Sequence, residues 1–241
     1  MGALALGWAL CLLAATTPAN VLTYAYTYER NQTDEAPEAY GVDKMDPSGG
    51  GTFIFPNINQ HYRSPSFDAP QRRLGIIAVE VVRQEADGGL VLRVDEPAPN
   101  GPRAEGQTCV AFADTTVVCD PSHPVSVEAQ TLLRLMGRNF VDPSHLDGSR
   151  HWRIVPLGPY GTTADYTIGH VDGTKLHILE SALQTQAGTP VKTEISATID
   201  YDAARSMPLT VEESTIAREQ RGVITQTTTT HVALRLQPAS P

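Results

Sequence analysis

Two copies of one tetrapeptide flank the middle of the chain, Asp120-Pro121-Ser122-His123 and Asp142-Pro143-Ser144-His145. Each sets an acid, a hydroxyl and an imidazole side by side, the groups that acyl transfer uses as orienter, nucleophile and base. Neighbours on one loop cannot line those groups up, and Asp-Pro-Ser is ordinary turn and cap chemistry. Both copies are therefore read as caps around a helix. The seven histidines are His61, His123, His145, His151, His170, His177 and His231. A zinc site needs three or four converging ligands. His145, Asp147 and His151 are close in sequence, and His170 and His177 fall on facing strands of one hairpin. A turn centred between Asp172 and Gly173 sets His170 opposite Lys175, not His177, so no metal site is expected. Carboxylate pairs for glycoside hydrolysis can be drawn from Glu180, Glu194, Glu212 and Glu213, but nothing in the sequence selects two of them. Glu80 interrupts the apolar run IIAVEVV. If buried it needs a partner or a raised pKa; facing solvent on an edge is the expected outcome.

No nucleotide-binding loop, zinc box, nucleophile elbow or dinucleotide fingerprint occurs, so no catalytic residue, cofactor or metal is assigned. The chain has 241 residues with a net charge of -9, which disfavours nucleic acid or an anionic membrane as partner. The apolar run from Ala3 to Ala15 is too short to span a bilayer, which takes about 20 residues, and suits a signal-peptide core. Thr17-Pro18-Ala19 offers small residues at the positions a signal peptidase reads, so residues 1–19 are expected to be removed and 20–241 to form a single β-rich domain. The first basic residue is Arg30, so the usual positive start of a signal is missing; either the start codon is placed too far downstream or the signal is atypical. Cys11 follows Trp8-Ala9-Leu10, a poor match to a lipidation site. The expected location is periplasmic or extracellular, with no membrane span in the mature chain. Arg outnumbers Lys fifteen to three, which points to a GC-rich bacterial genome. Asn31-Gln32-Thr33 is a glycosylation sequon that matters only in a eukaryotic secretory pathway.

The mature chain keeps Cys109 and Cys119, which flank VAFADTTVV. In a hairpin centred on Asp114 they lie directly opposite, within reach of a disulfide. On the chain-entropy model, closing so short a loop stabilises by roughly 3 kcal/mol. A metal or redox pair is the competing reading, but the gap is not CxxC and no third ligand sits nearby.

Elements must position these groups. Leu22, Tyr24, Tyr26 and Tyr28 alternate with Thr23, Ala25 and Thr27, a strand pattern. Residues 30–73 are polar, Gly- and Pro-rich, with Phe53-Ile54-Phe55 their one compact apolar piece. Such an excursion is read as a loop over one end of a sheet, with Phe53, Phe55 and Phe67 as contacts if it acts as a lid. Strands then follow with tight turns at Asp87-Gly88-Gly89 and Asp172-Gly173. Val125, Ala129, Leu132, Leu133, Met136 and Phe140 keep helical spacing, so one amphipathic helix is predicted over about 124–139, starting at the Asp120-Pro121 cap. In Thr193–Tyr201, Ile195, Ala197, Ile199 and Tyr201 share a face opposite Glu194, Ser196, Thr198 and Asp200. Strands at 208–217 and 223–236 close the chain. About ten strands with short connections need antiparallel pairing. The predicted fold is mainly β: a large curved antiparallel sheet, a half-barrel, with the helix packed on its concave side.

The layout from Ala197 to Leu236 consists of a strand ending in Tyr201-Asp202, a turn, Met207-Pro208-Leu209 and two long closing strands. It resembles exported bacterial β-half-barrel proteins similar in fold to periplasmic lipoprotein carriers. The resemblance implies a curved sheet with a helix against its concave side, where several such proteins bind acyl chains. The first functional expectation is thus a non-enzymatic exported protein that shelters a lipid or other hydrophobic ligand. Its groove would be lined by Leu22, Tyr24, Tyr26, Leu132, Leu133, Met136, Ile195 and Ile199. The second is a structural or protein-interaction component of the envelope, docking through an edge strand or the 30–73 segment. A hydrolase with residues converging from loops is the third.

Overall fold

The computed structural model describes residues 21–35, 70–96, 106–122, 124–137, 140–142, 148, 150–155, 163–185, 191–221 and 224–238. The expected signal at 1–19 with Cys11, the excursion over 36–69 with its phenylalanines and His61, His123, and the second Asp-Pro-Ser-His from Pro143 onward lie outside them.

Among the described residues eleven strands form one sheet. They are β1 (Val21–Glu35), β2 (Gln71–Gln84), β3 (Leu90–Asp95), β4 (Gln107–Ala111), β5 (Val117–Cys119), β6 (His151–Ile154), β7 (Ala164–Asp172), β8 (Lys175–Thr185), β9 (Val191–Asp202), β10 (Met207–Arg221) and β11 (Ile224–Leu236). The order is β5-β4-β3-β2-β1-β11-β10-β9-β8-β7-β6. Every neighbouring pair is antiparallel, as short connections require. The first and last strands pair at the centre, so the two halves of the chain spread outward from β1 and β11. The edges β5 and β6 do not meet, and the sheet stays open.

Period-two alternation gives this sheet one apolar face. Leu22, Tyr24, Ile77, Val79, Ile178, Ile199, Val211 and Leu234 are all buried on it. In register across seven strands runs the row Trp152, Tyr166, Glu180, Ala197, Glu213, Val232, Tyr28. The sheet bends around this face. Edge strand β5 and strands β7 to β10 line one cavity, although β5 and β8 are eight strand spacings apart in the sheet order, roughly 38 Å if it were flat.

One short helix, α1 (Val127–Leu133), covers the concave side and packs against β10 and β11. It is shorter than predicted at both ends. Ser126 is the N-cap, its Oγ accepting from the Ala129 N–H at 3.1 Å. Asp120 instead accepts from the Ser122 N–H at 2.9 Å and Oγ at 2.6 Å, closing a turn six residues before the cap. Met136 and Phe140 are buried as predicted, but from the turns that follow the helix. Phe140 fits edge-on against Trp152 and Tyr166, which stack on each other with centroids 5.2 Å apart.

Two further boundaries differ. β1 continues to Glu35 and β2 starts at Gln71, so both ends of the expected 30–73 loop belong to the sheet. The β7–β8 turn is Gly173-Thr174 rather than Asp172-Gly173, with Gly173 at a φ of 59°. Asp172 thus pairs with Lys175, and a register shift after Ile168 brings His170 opposite His177. Glu80 is partly buried, opposite Val21 and Arg93.

Gly137 lies where the turn after α1 crosses the backbone of the β4–β5 hairpin. A methyl group there would fall 2.0 Å from the Phe112 carbonyl oxygen. Gly137→Ala is expected to cost about 1–3 kcal/mol, as overpacking does, and to lower the melting temperature; an unchanged melt would mean the hairpin yields freely. Burial pushes the hydroxyls of Tyr24, Tyr166 and Tyr201 well above the ordinary tyrosine value, which is about 10. A folded-state pKa raised this way contributes stability that is complete below the unfolded value and is lost as pH climbs through the folded one. In an ultraviolet titration these three of eight tyrosines should stay protonated past that range and ionise only with cooperative unfolding. Smooth titration of all eight in the folded protein would contradict this packing.

Candidate functional site

The face of α1 that does not enter the core carries Val127, Gln130, Thr131 and Arg134, spaced three and four apart and therefore stacked on one side. These four residues look into a cavity of about 660 Å³. Opposite them stand Val117, Val118 and Cys119 of β5, and Tyr166, Glu180, Ile195 and Glu213 of the sheet. Pro121, Pro124 and Val125 close one side.

The polar floor is a charge cluster built from the in-register row. Glu180 and Glu213 flank Ala197, two strands apart on the concave face. Arg134, at the C-cap of α1, reaches down between them. Its Nη1 and Nη2 donate to the two oxygens of Glu180 at 2.8 Å each, a bidentate fork. Nη2 also donates to Glu213 Oε2, and Nη1 to the Tyr166 hydroxyl at 3.3 Å. Glu213 Oε1 accepts from Thr131 at 3.3 Å and Thr215 at 3.4 Å. The acid side chains are 2% and 9% exposed and that of Arg134 18%, so the pairs are shielded from water. Burial alone would lower the guanidinium pKa; Glu180, then Glu213, outweigh it and hold Arg134 well above its ordinary value. Burial raises Tyr166 in turn, with Arg134 opposing and Glu180 adding to the shift.

The other end of α1 is tied down with the charges reversed. Glu128, in the first turn and 1% exposed, forms an ion pair with Arg73 of β2 at 3.1 Å. The Arg73 guanidinium lies 4.0 Å over the Tyr28 ring, the next member of the same row. Ser126 Oγ donates to Glu96 Oε1 at 2.6 Å, just beyond β3.

Cys109 and Cys119 pair across the β4–β5 hairpin and form the disulfide, as their symmetry about Asp114 predicts. It holds β5, the outer wall of the cavity, to the core through the fully buried Cys109. Of the eight residues proposed for a groove, Ile195 lines the cavity. Leu22, Tyr24, Leu132, Leu133, Met136 and Ile199 are buried among one another in the core, and Tyr26 packs against it. Strand alternation and helical spacing locate an apolar face but not the part of it left uncovered. Of the four acids that could not be sorted, Glu194 pairs on the outer face with Lys192 and Arg218, Glu212 is exposed, and Glu180 and Glu213 point inward. Arg134 was missed altogether. Its signal was present: it follows Thr131 by three residues on the polar side of the helix, while Glu180 and Glu213 occupy the apolar phase of their strands. His151 and His177 stand 3.5 and 3.0 Å from Asp165 and Asp200 respectively, on the outer face. Among the described residues no group of three or more His, Cys, Asp or Glu is placed to hold a metal ion, and no helix is long and apolar enough to cross a membrane.

Removing Arg134 strands two buried acids. Arg134→Leu is expected to lose about 3–5 kcal/mol in urea denaturation, whereas the triple variant Arg134→Leu, Glu180→Leu, Glu213→Leu should recover most of it, since an apolar replacement of a whole buried ion cluster is often neutral. A triple variant as unstable as the single one would show that the charges are not the source of the loss. No family model matches this chain and no curated protein is similar to it, so the reading of the site comes from its own geometry.

Proposed function

We propose that the protein is an exported, non-enzymatic binding protein that shelters a lipid or another hydrophobic small molecule on the concave side of its sheet. The observation that carries this is the cavity of about 660 Å³ between α1, β5 and strands β7 to β10. Its size falls within the ~300–1,000 Å³ of small-molecule sites, and apolar walls with a few fixed polar groups are their usual lining. An open antiparallel sheet holding a helix on one face is the arrangement that a likeness to periplasmic lipoprotein carriers would imply. The Cys109–Cys119 disulfide supports an oxidising compartment. Both inward acids engage Arg134, which suits a fixed scaffold better than proton transfer.

A second reading, an envelope interaction component without a ligand, draws on two observations. The protein's own side chains fill most of the concave face, and Leu74 and Ile76 are exposed side by side on the outer face of β2.

Native mass spectrometry of protein purified from its own envelope, with titration of the neutral fluorescent hydrophobe N-phenylnaphthylamine, separates the two. The binding reading expects a co-purified small molecule or saturable probe binding, and Ile195→Trp, which fills the cavity, should weaken the probe at least about tenfold. Neither adduct nor saturable binding would favour the second reading.

A further inference from the structure

The charge lining the cavity says which kind of amphiphile it accepts; this step rests on the binding reading above and refines it. We propose that the site takes amphiphiles with a cationic amine head group and discriminates against carboxylates.

Among the described residues of the lining, Arg134 is the base and Glu180 and Glu213 are the acids that face it, two to one; Asp120 also lines the cavity and is engaged in its own turn. That base is engaged through both of its terminal nitrogens. The four N–H bonds on its terminal nitrogens go to the two oxygens of Glu180, to Glu213 Oε2 and to the Tyr166 hydroxyl. At the terminal nitrogens a fatty acid carboxylate would have to evict one of these acceptors, leaving a buried acid without its counter-charge, and at the remaining Nε–H it would still add a third negative charge to a cluster of two acids and one base. The acids, by contrast, have acceptor capacity left. A carboxylate offers about four lone-pair positions. Glu213 Oε1 uses its own on two long contacts to Thr131 and Thr215, at 3.3 and 3.4 Å. A primary ammonium brings three donors, no acceptor and a positive charge, and so complements the surplus acid without breaking the fork. The aliphatic chain would lie along Val117, Val118, Pro121 and Val125. Cavity and charge pattern together carry the inference; an acidic group with no space beside it would not.

Isothermal titration calorimetry on the mature protein with decylammonium, decanol and decanoate at neutral pH, all as monomers, tests it. The expected order is decylammonium, then decanol, then decanoate, with one site per chain. The amine should bind at least about tenfold tighter than the carboxylate, since like charges placed together are strongly unfavourable. Glu213→Gln should reduce the ratio of amine to decanol affinity at least about threefold; if that variant does not fold, the three-ligand comparison on the unaltered protein still decides. Decanoate equal to or better than decylammonium overturns the head-group proposal and leaves the binding reading standing. Amine binding at several weak sites that decanol does not displace assigns it to the chain's net charge of -9 and also overturns the proposal. Failure of all three ligands removes the binding reading, and this inference with it.

Discussion

Glu180 and Glu213 enter the concave face in the apolar phase of their strands, and burial gives them no water to lean on. Two carboxylates in that position demand a cation, and Arg134 at the end of α1 meets the demand for both. The same logic operates in mirror image at the helix start, where Glu128 meets Arg73 of the sheet. An acid at the N-terminus and a base at the C-terminus of a helix also agree with its dipole. The two contacts lie along one cross-strand row, from Arg73 and Tyr28 on one side to Glu180 on the other. Shape alone would let a short apolar helix settle on a broad apolar face in several ways. The charges choose one, because reversing the helix would set acid against acid and base against base.

Much of this architecture was legible in residue order. Alternation at period two marks β1, β8, β9 and β10, since a strand with one face buried cannot change phase without exposing its core side. Gly88, with a φ of 91°, stands where a tight turn needs a residue that tolerates it. The disulfide followed from its symmetry about Asp114. What failed was resolution at element ends. Ser126 outcompeted Asp120 as the cap because Glu96, thirty residues away, receives its hydroxyl and holds it in place. No local pattern carries that contact. The β7–β8 register was lost for a similar reason: Asp172-Gly173 looks like the turn, but Gly173-Thr174 forms it, and the irregularity after Ile168 then absorbs the offset. Both ends of the 30–73 segment read as loop because polar residues dominate them. Yet Arg30 to Glu35 complete a ladder with Thr225 to Thr230, in which backbone pairing and β-branched neighbours substitute for apolar burial.

The site was legible in its parts and not in its assembly. Glu180 and Glu213 stood among four acids with equal claims. Parity separates them: Glu212 and Glu194 fall on the outward face, and the other two fall in line with Ile178 and Val211. Arg134 escaped because the helix was read for its apolar stripe, and the polar side of an amphipathic helix is ordinarily left to solvent. Here that side also lines the cavity, with Val127 and Gln130 still exposed to solvent. The sheet curls far enough for β5 to stand over it, which turns a would-be surface into the wall of a cavity.

That curl leaves open volume beside a well filled core. At one end of the row large rings do the filling, with Phe140 against Trp152, Tyr166 and Tyr201, and Trp152 stacked on Tyr166. Ala197 offers only a methyl group, and the acids on either side of it are bridged by a planar guanidinium held by hydrogen bonds. On the far side, β5 is held by backbone pairing to β4, by the packing of Val117 and Cys119 on the core and by the disulfide. One wall of the cavity carries the guanidinium and the other carries the disulfide, and the charged row forms the polar part of its lining between them.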